Sequence, residues 1–136
     1  MLLRKKNILR LESEISSLLK SDKSKFRYPV KLIYKIYTHE ELNGNPIEPP
    51  YKVLFIVPKR NLKKAFKRNL IKRRLREAFR INQGAITNNL RFKGRQVKLC
   101  FIYVSSDVLP FSQIELAVVN LINHIVSETP LQSESS

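Results

Sequence analysis

The sequence predicts an α+β fold, a single-domain α-β sandwich in which a small sheet is packed with helices. Three observations predict it. The stretch Pro29 to Tyr37, PVKLIYKIY, alternates with the two-residue period of a strand. The stretch from about Lys63 to Asn82 places apolar residues at helical spacing inside a cationic run. Segments of these two kinds follow in the order helix, strand, strand, helix, strand, helix. The length of 136 residues suits one domain with a hydrophobic core of its own. Two strands paired as a hairpin, then a helix crossing to a further strand, give the layered arrangement.

Each element has its own signal. Ile8, Leu11, Ile15, Leu18 and Leu19 are spaced for an amphipathic helix from about Ile8 to Lys20. Polar residues Ser21 to Arg27 end it. In the first strand Val30, Leu32, Tyr34 and Ile36 point one way, inward. Lys31, Ile33, Lys35 and Tyr37 point the other way and form a basic, partly aromatic outer face. Thr38 to Pro50 holds Asn43-Gly44-Asn45-Pro46 and Pro49-Pro50, turn formers that make it a loop. Tyr51 to Val57 is a short β-rich run. The cationic helix follows and stops near Gly84, and Ala85 to Arg95 reads as a polar connection. Gln96 to Val104 is so apolar that it reads as a central strand. Ser112 with Glu115 fits a capping box. The helix it opens carries Ile114, Ala117, Val118, Leu121, Ile122 and Ile125 on one face. The domain is expected to span residues 1–128, followed by a polar, frayed tail over 129–136.

Charge is the clearest pointer to function. The formal net charge is +15. Of the 22 residues from Lys59 to Arg80, eleven are Lys or Arg, and the only acid is Glu77. A solvated charge block has no need of an apolar stripe, yet Ile71, Leu75, Ala78 and Phe79 form one, filling an arc of roughly 100°. Lys72, Arg76, Asn69, Arg80 and Arg73 fall on the arc beside it. One face is built to sit on a core, and its neighbour presents cations and one amide on a rigid rod. That arrangement suits a polyanion, nucleic acid above all. Arg68, Lys72 and Arg76 lie along one line of the helix, with Asn69, Arg73 and Arg80 beside it. Arg supplies a planar fork for phosphate oxygens and Lys a point charge. Asn69 is open to two roles, a hydrogen bond to RNA or a brace for nearby backbone. Arg74 and Lys67 fall on other sides and read as general charge.

Catalytic chemistry is not indicated, and no catalytic or metal-binding residue is assigned. His39 and His124 are far apart, with no Cys or acid at ligand spacing. The three glycines form no phosphate cradle. Glu12, Glu14, Glu40 and Glu41 read as surface charge. The single Cys100 sits in an apolar run as a buried thiol, without an internal disulfide partner. The N-terminus has no apolar core of a secretory signal, and no apolar stretch approaches a membrane span. A cytoplasmic protein without organic cofactor or membrane contact is expected.

Val57 to Arg80, VPKRNLKKAFKRNLIKRRLREAFR, resembles the signature region of the bacterial ribonuclease P protein component. That family has a Ser/Ala-Lys-Lys/Arg element, a short spacer, then Arg-Asn-x-x-Lys-Arg-x-x-Arg-Glu. The matching residues are Lys59-Arg60, then Arg68, Asn69, Lys72, Arg73, Arg76 and Glu77. Element order extends the resemblance over about residues 4 to 127. Leu70 stands where the family usually has Arg. Ile15 and Leu19 stand in the first helix where many members have Phe, and the loop Thr38 to Pro50 is longer than typical. The resemblance implies the small subunit of a ribonucleoprotein endonuclease, one protein per RNA, in which ribonuclease P RNA holds Mg²⁺ and cleaves precursor tRNA. It implies a left-handed crossover for the basic helix. Taken with the pattern of charge and alternation, two surfaces are expected: Lys59, Arg60, Arg68, Asn69, Lys72, Arg73, Arg76 and Arg80 for RNA, and a cleft of Ile15, Leu19, Lys31, Ile33, Lys35 and Tyr37 for the 5′ leader. The alternative from charge and size alone is a ribosomal or other structured-RNA-binding protein without processing activity.

Overall fold

Alternation and apolar stripes do settle where the chain folds, but partner choice in the sheet is a long-range matter. The computed structural model describes residues 7–9, 12–38, 41 and 50–129. Leu11, His39, Glu40, most of the loop after Thr38 and the tail past Thr129 lie outside them. Helix α1 is Glu12–Leu19, followed by strands β1 Ser24–Arg27, β2 Val30–Thr38 and β3 Tyr51–Ile56. Then come α2 Ala65–Asn82, a one-turn helix α3 Gly84–Thr87, a 3₁₀ turn Leu90–Phe92, β4 Arg95–Tyr103 and α4 Phe111–Glu128.

The sheet order is β1-β2-β4-β3. β4 is antiparallel to β2 and parallel to β3, so β2 and β3 are not the hairpin expected from their order. The physical reason is burial. β4 is sealed over nearly its whole length, with Val97, Leu99, Cys100, Phe101 and Tyr103 each at 0% exposure. A strand apolar on both faces belongs in the middle of a sheet, and here it separates the two. The hairpin that does form is β1–β2. β1 gave no sequence signal because all four of its residues are exposed, so no alternation marks it.

α2 and α4 cover one face of the sheet. Ile71, Leu75, Ala78 and Phe79 of α2 meet Val53, Leu99 and Phe101, with the α4 stripe from Ile114 to Ile125 alongside. Phe79 is the hub, with ring centroids 5.2 Å from Tyr51, 6.1 Å from Phe55 and 5.6 Å from Phe101. Burying side chains of this size is worth roughly 1.5–3 kcal/mol each. Polar ties fix the register of α2. Arg74 Nη1 donates to the Leu109 carbonyl at 2.5 Å, and the Tyr51 hydroxyl donates to Gln83.

The other face carries a smaller core. Leu18 of α1 and Leu9 close over Cys100, with Ile15, Ile33, Leu54, Ile56 and Ile102 packed around them. Burial pushes the Cys100 thiol up to about 12, which keeps it neutral. The outer face is therefore not open along its length, because α1 lies across its centre. Nor does the helix reach back to Ile8. Residues 7–9 run beside β3 instead, with an Ile8–Val53 bridge and Leu9 N donating to the Val53 carbonyl at 3.0 Å.

Three smaller expectations also change. The segment between α2 and β4 is not simply polar, since Ile86 and Phe92 are buried. α4 follows Pro110, whose backbone is extended at φ −66° and ψ 155°, and no side chain caps it. Glu115 instead accepts from Asn82 Nδ2 at 3.3 Å, tying α4 to α2. Thr129 is buried rather than frayed, and its hydroxyl donates to the Ile125 carbonyl at 2.8 Å.

Candidate nucleic-acid interface

The parallel step from β3 through α2 to β4 lays the basic helix beside β3, one of the two edge strands of the sheet. Between them runs a groove of about 420 Å³. Ile8, Val53, Leu54 and Phe55 form its apolar floor, and Asn69, Lys72, Arg73 and Arg76 line it from α2. Their spacing of three and four residues puts these four side chains on one helix face. All four are exposed, and among the described residues none has an intramolecular hydrogen bond or ion pair. The amide of Asn69 is thus not spent on bracing backbone. The floor was missed in the sequence, because an edge-strand segment and residue 8 reveal their shared groove only once β3 is known to be outermost.

The remaining candidates on this side divide. Lys59 and Arg60 are exposed in the turn after β3. That turn is held by Asn61, whose Nδ2 donates to the Tyr103 carbonyl at 3.0 Å. Arg68 is largely engaged: its Nη1 donates to the Leu62 and Lys63 carbonyls at 2.8 and 2.7 Å. It shapes the entry to α2, whose first residues have no side-chain cap. Arg80 grips Glu77 through Nε at 2.9 Å and Nη2 at 2.5 Å. The same contact holds the Glu77 carboxyl below its usual value, first through the hydrogen bond and then through charge. Arg74, read as general charge, is a tertiary tie to Leu109.

Of the six residues expected to form a second cleft, Lys31, Ile33, Lys35 and Tyr37 alternate along β2 on the face that α1 packs against. Ile15 and Ile33 are used in the core under α1. Leu19 is 42% exposed at the end of α1. Lys31 is exposed and stands opposite Phe26 of β1. Lys35 and Tyr37 stay together, with Lys35 Nζ 5.0 Å from the Tyr37 ring centroid. Lys98 approaches the same ring at 4.8 Å. Glu14 also departs from its reading as plain surface charge, because its carboxylate contacts both Lys52 and Lys98.

Among the described residues no group of three or more His, Cys, Asp or Glu side chains could hold a metal ion. No helix there is long and apolar enough to cross a membrane. The arrangement suits an extended polyanion, and among the described residues the groove lining holds no carboxylate, imidazole or thiol.

Comparison with known proteins places these features in one family. The family model described as Ribonuclease P matches residues 3–126. The ribonuclease P protein component of Porphyromonas gingivalis is 26% identical over 129 residues, covering 94% of this chain and 89% of that protein. The component from Chlorobaculum tepidum is 42% identical over 66 residues, covering 45% of this chain and 43% of that protein. Among solved structures, the RNase P protein of Staphylococcus aureus superimposes with a TM-score of 0.66 at 16% identity, covering 89% of this chain and 96% of that one. The RNase P protein of Thermotoga maritima gives 0.63 at 19% identity, covering 86% of this chain and 96% of that one.

Proposed function

The chain belongs to the ribonuclease P protein family, and from that premise we propose that it is the RNA-binding subunit of a tRNA-processing ribonucleoprotein. In this reading one copy assembles with one ribonuclease P RNA in the cytoplasm. The RNA subunit cleaves the phosphodiester bond that frees the 5′ end of tRNA, and it holds the Mg²⁺ ions for that step. The protein binds the 5′ leader of precursor tRNA and raises the affinity of those ions. Among the described residues no donor cluster fits a resident metal, so no step is assigned to one. One observation carries the reading: Asn69, Lys72, Arg73 and Arg76 meet in a single groove, all exposed and all without internal partners.

The groove works by position and charge. Arg73 and Arg76 present planar forks to phosphate oxygens, Lys72 adds a point charge, and Asn69 offers both donor and acceptor. Lys59 and Arg60 extend the positive surface beyond the start of α2. The apolar floor lets a ribose or base lie against Phe55 and Ile8 without a sequence code. Arg68 and Arg80 contribute indirectly, the first by fixing the helix entry and the second by ordering Glu77.

The test is a precursor-tRNA cleavage assay with bacterial ribonuclease P RNA at low Mg²⁺, with and without this protein. Cleavage should rise when the protein is added, and the Mg²⁺ requirement should fall. If the protein leaves cleavage unchanged at every Mg²⁺ level, the processing role is wrong and a structured-RNA-binding protein without processing activity takes its place.

A further inference from the structure

The first turn of α2 carries a side chain that neither the core nor the groove uses. Phe66 is 66% exposed, against 54% for Phe26 and 50% for Tyr28, the other exposed aromatic residues among those described. A ring left in water forgoes the burial that holds Phe79 in place. The stripe that faces the sheet, Ile71, Leu75, Ala78 and Phe79, lies on roughly the opposite side of the helix. Seven residues make nearly two turns, so Phe66 stands only about 20° from Arg73 and about 10 Å before it along the axis. Phe66, Asn69, Arg73 and Arg76 thus follow one another at spacings of three, four and three residues, on one side of the helix. The ring heads the row of side chains that lines the groove.

Its surroundings are cationic. From Lys59 to Arg76 the chain holds no acid. Lys63 and Lys64 are exposed, and the Lys64 ammonium lies 5.9 Å from the Phe66 ring centroid. An aromatic ring among cations suits a ligand with both a flat π face and a negative charge. A nucleotide has both. Bases inside a duplex are already stacked on one another, so the base that can reach the ring is an unpaired one. We propose that Phe66 is a stacking platform for one unpaired nucleobase of ribonuclease P RNA, with Lys64 placed to hold the phosphate of the same nucleotide. This deepens the groove reading and rests on it. The groove cations grip phosphates wherever they fall, whereas a stacked base fixes the point on the RNA at which the row begins.

Stacking and charge leave different marks on a salt series. Filter binding of the full chain to bacterial ribonuclease P RNA, without precursor tRNA, compares Phe66→Ala, Phe66→Tyr and Phe66→Leu with the unsubstituted protein. Phe66→Ala should weaken binding by about fivefold to 100-fold. It should leave the slope of log affinity against log salt unchanged, because no cation is lost. Phe66→Tyr should keep the original affinity, and Phe66→Leu, apolar but without a π face, should bind like Phe66→Ala. The thermal midpoint should hold throughout, since Phe66 belongs to neither core. Acylation of the RNA 2′-hydroxyls reads the base itself: one unpaired nucleotide should be protected by the unsubstituted protein and released with Phe66→Ala. Unchanged affinity with Phe66→Ala overturns the proposal, and the groove stands without it if Lys72→Ala with Arg73→Ala still weakens binding. Full affinity with Phe66→Leu also overturns it, by making the contact apolar without stacking. A loss seen only after precursor tRNA is added does so too, by giving the ring to the substrate. If the Lys72 and Arg73 pair can be replaced without effect while Phe66→Ala weakens binding, the groove reading falls and the stacking site stands.

Discussion

At the scale of single residues, partners decide which cations are available. Helical angle alone groups Arg68 and Arg80 with Lys72, Arg73 and Arg76, and so they were all legible as one basic face. What the angle cannot show is that Arg68 turns back to the Leu62 and Lys63 carbonyls, or that Arg80 closes on Glu77. The two kinds of residue should separate under mutation. Asn69→Ala should weaken binding to ribonuclease P RNA by about tenfold, the worth of one charge-assisted hydrogen bond, with no change in thermal midpoint. Arg68→Ala should lower stability by about 1 kcal/mol in denaturant melts, because two carbonyls lose their donor. Glu128 gives a pH prediction. The Tyr34 hydroxyl donates to it at 2.5 Å, and His124 and Lys23 add charge, so its carboxyl lies below the ordinary 4.5 despite some desolvation. A folded value below the unfolded one means the stabilisation is present above 4.5 and lost as pH falls through the folded value. Glu128→Gln should therefore flatten the acid limb of the stability curve, as read by thermal melts across pH.

Elements were legible to the extent that their signal is local. The stripe of α2 needs only its own residues, and the four stripe positions are all at 0% exposure. Leu75→Ala should cost roughly 2–5 kcal/mol, the sum of lost burial and a cavity, measured by chemical denaturation. A loss well under that range would mean that α2 rests loosely on the sheet. β4 was legible as central because both faces are apolar. Which strands flank it was not, since parallel pairing with β3 is set by the whole α2 crossover rather than by any local pattern. β1 escaped because it is exposed throughout, and α1 was drawn too long because Ile8 keeps helical spacing with Leu11 and Ile15. Ile8 instead pairs with Val53, and that pairing gives the groove part of its floor. The groove's cations could thus be named from sequence, while its walls could not.

For the whole molecule the question is how a net charge of +15 is arranged. Ion pairs draw acid away from the groove: Glu14 serves Lys52 and Lys98, Glu77 serves Arg80, and Glu128 serves Lys23. Lys59, Arg60, Lys72, Arg73 and Arg76 have no such partner among the described residues. The α2 side therefore presents a set of cations that no acid compensates. A partner bound there must release counterions in proportion to the phosphates neutralised. With about five contacts, a fourfold rise in salt should weaken binding to ribonuclease P RNA by roughly 500-fold. Lys72→Ala with Arg73→Ala should lower the slope of log affinity against log salt by about 2 and weaken assembly at every salt concentration. The fold should survive, because both side chains are exposed and neither belongs to the core. Filter binding over a salt series reads both quantities. A slope unmoved by the double substitution would place the RNA on another surface of the protein.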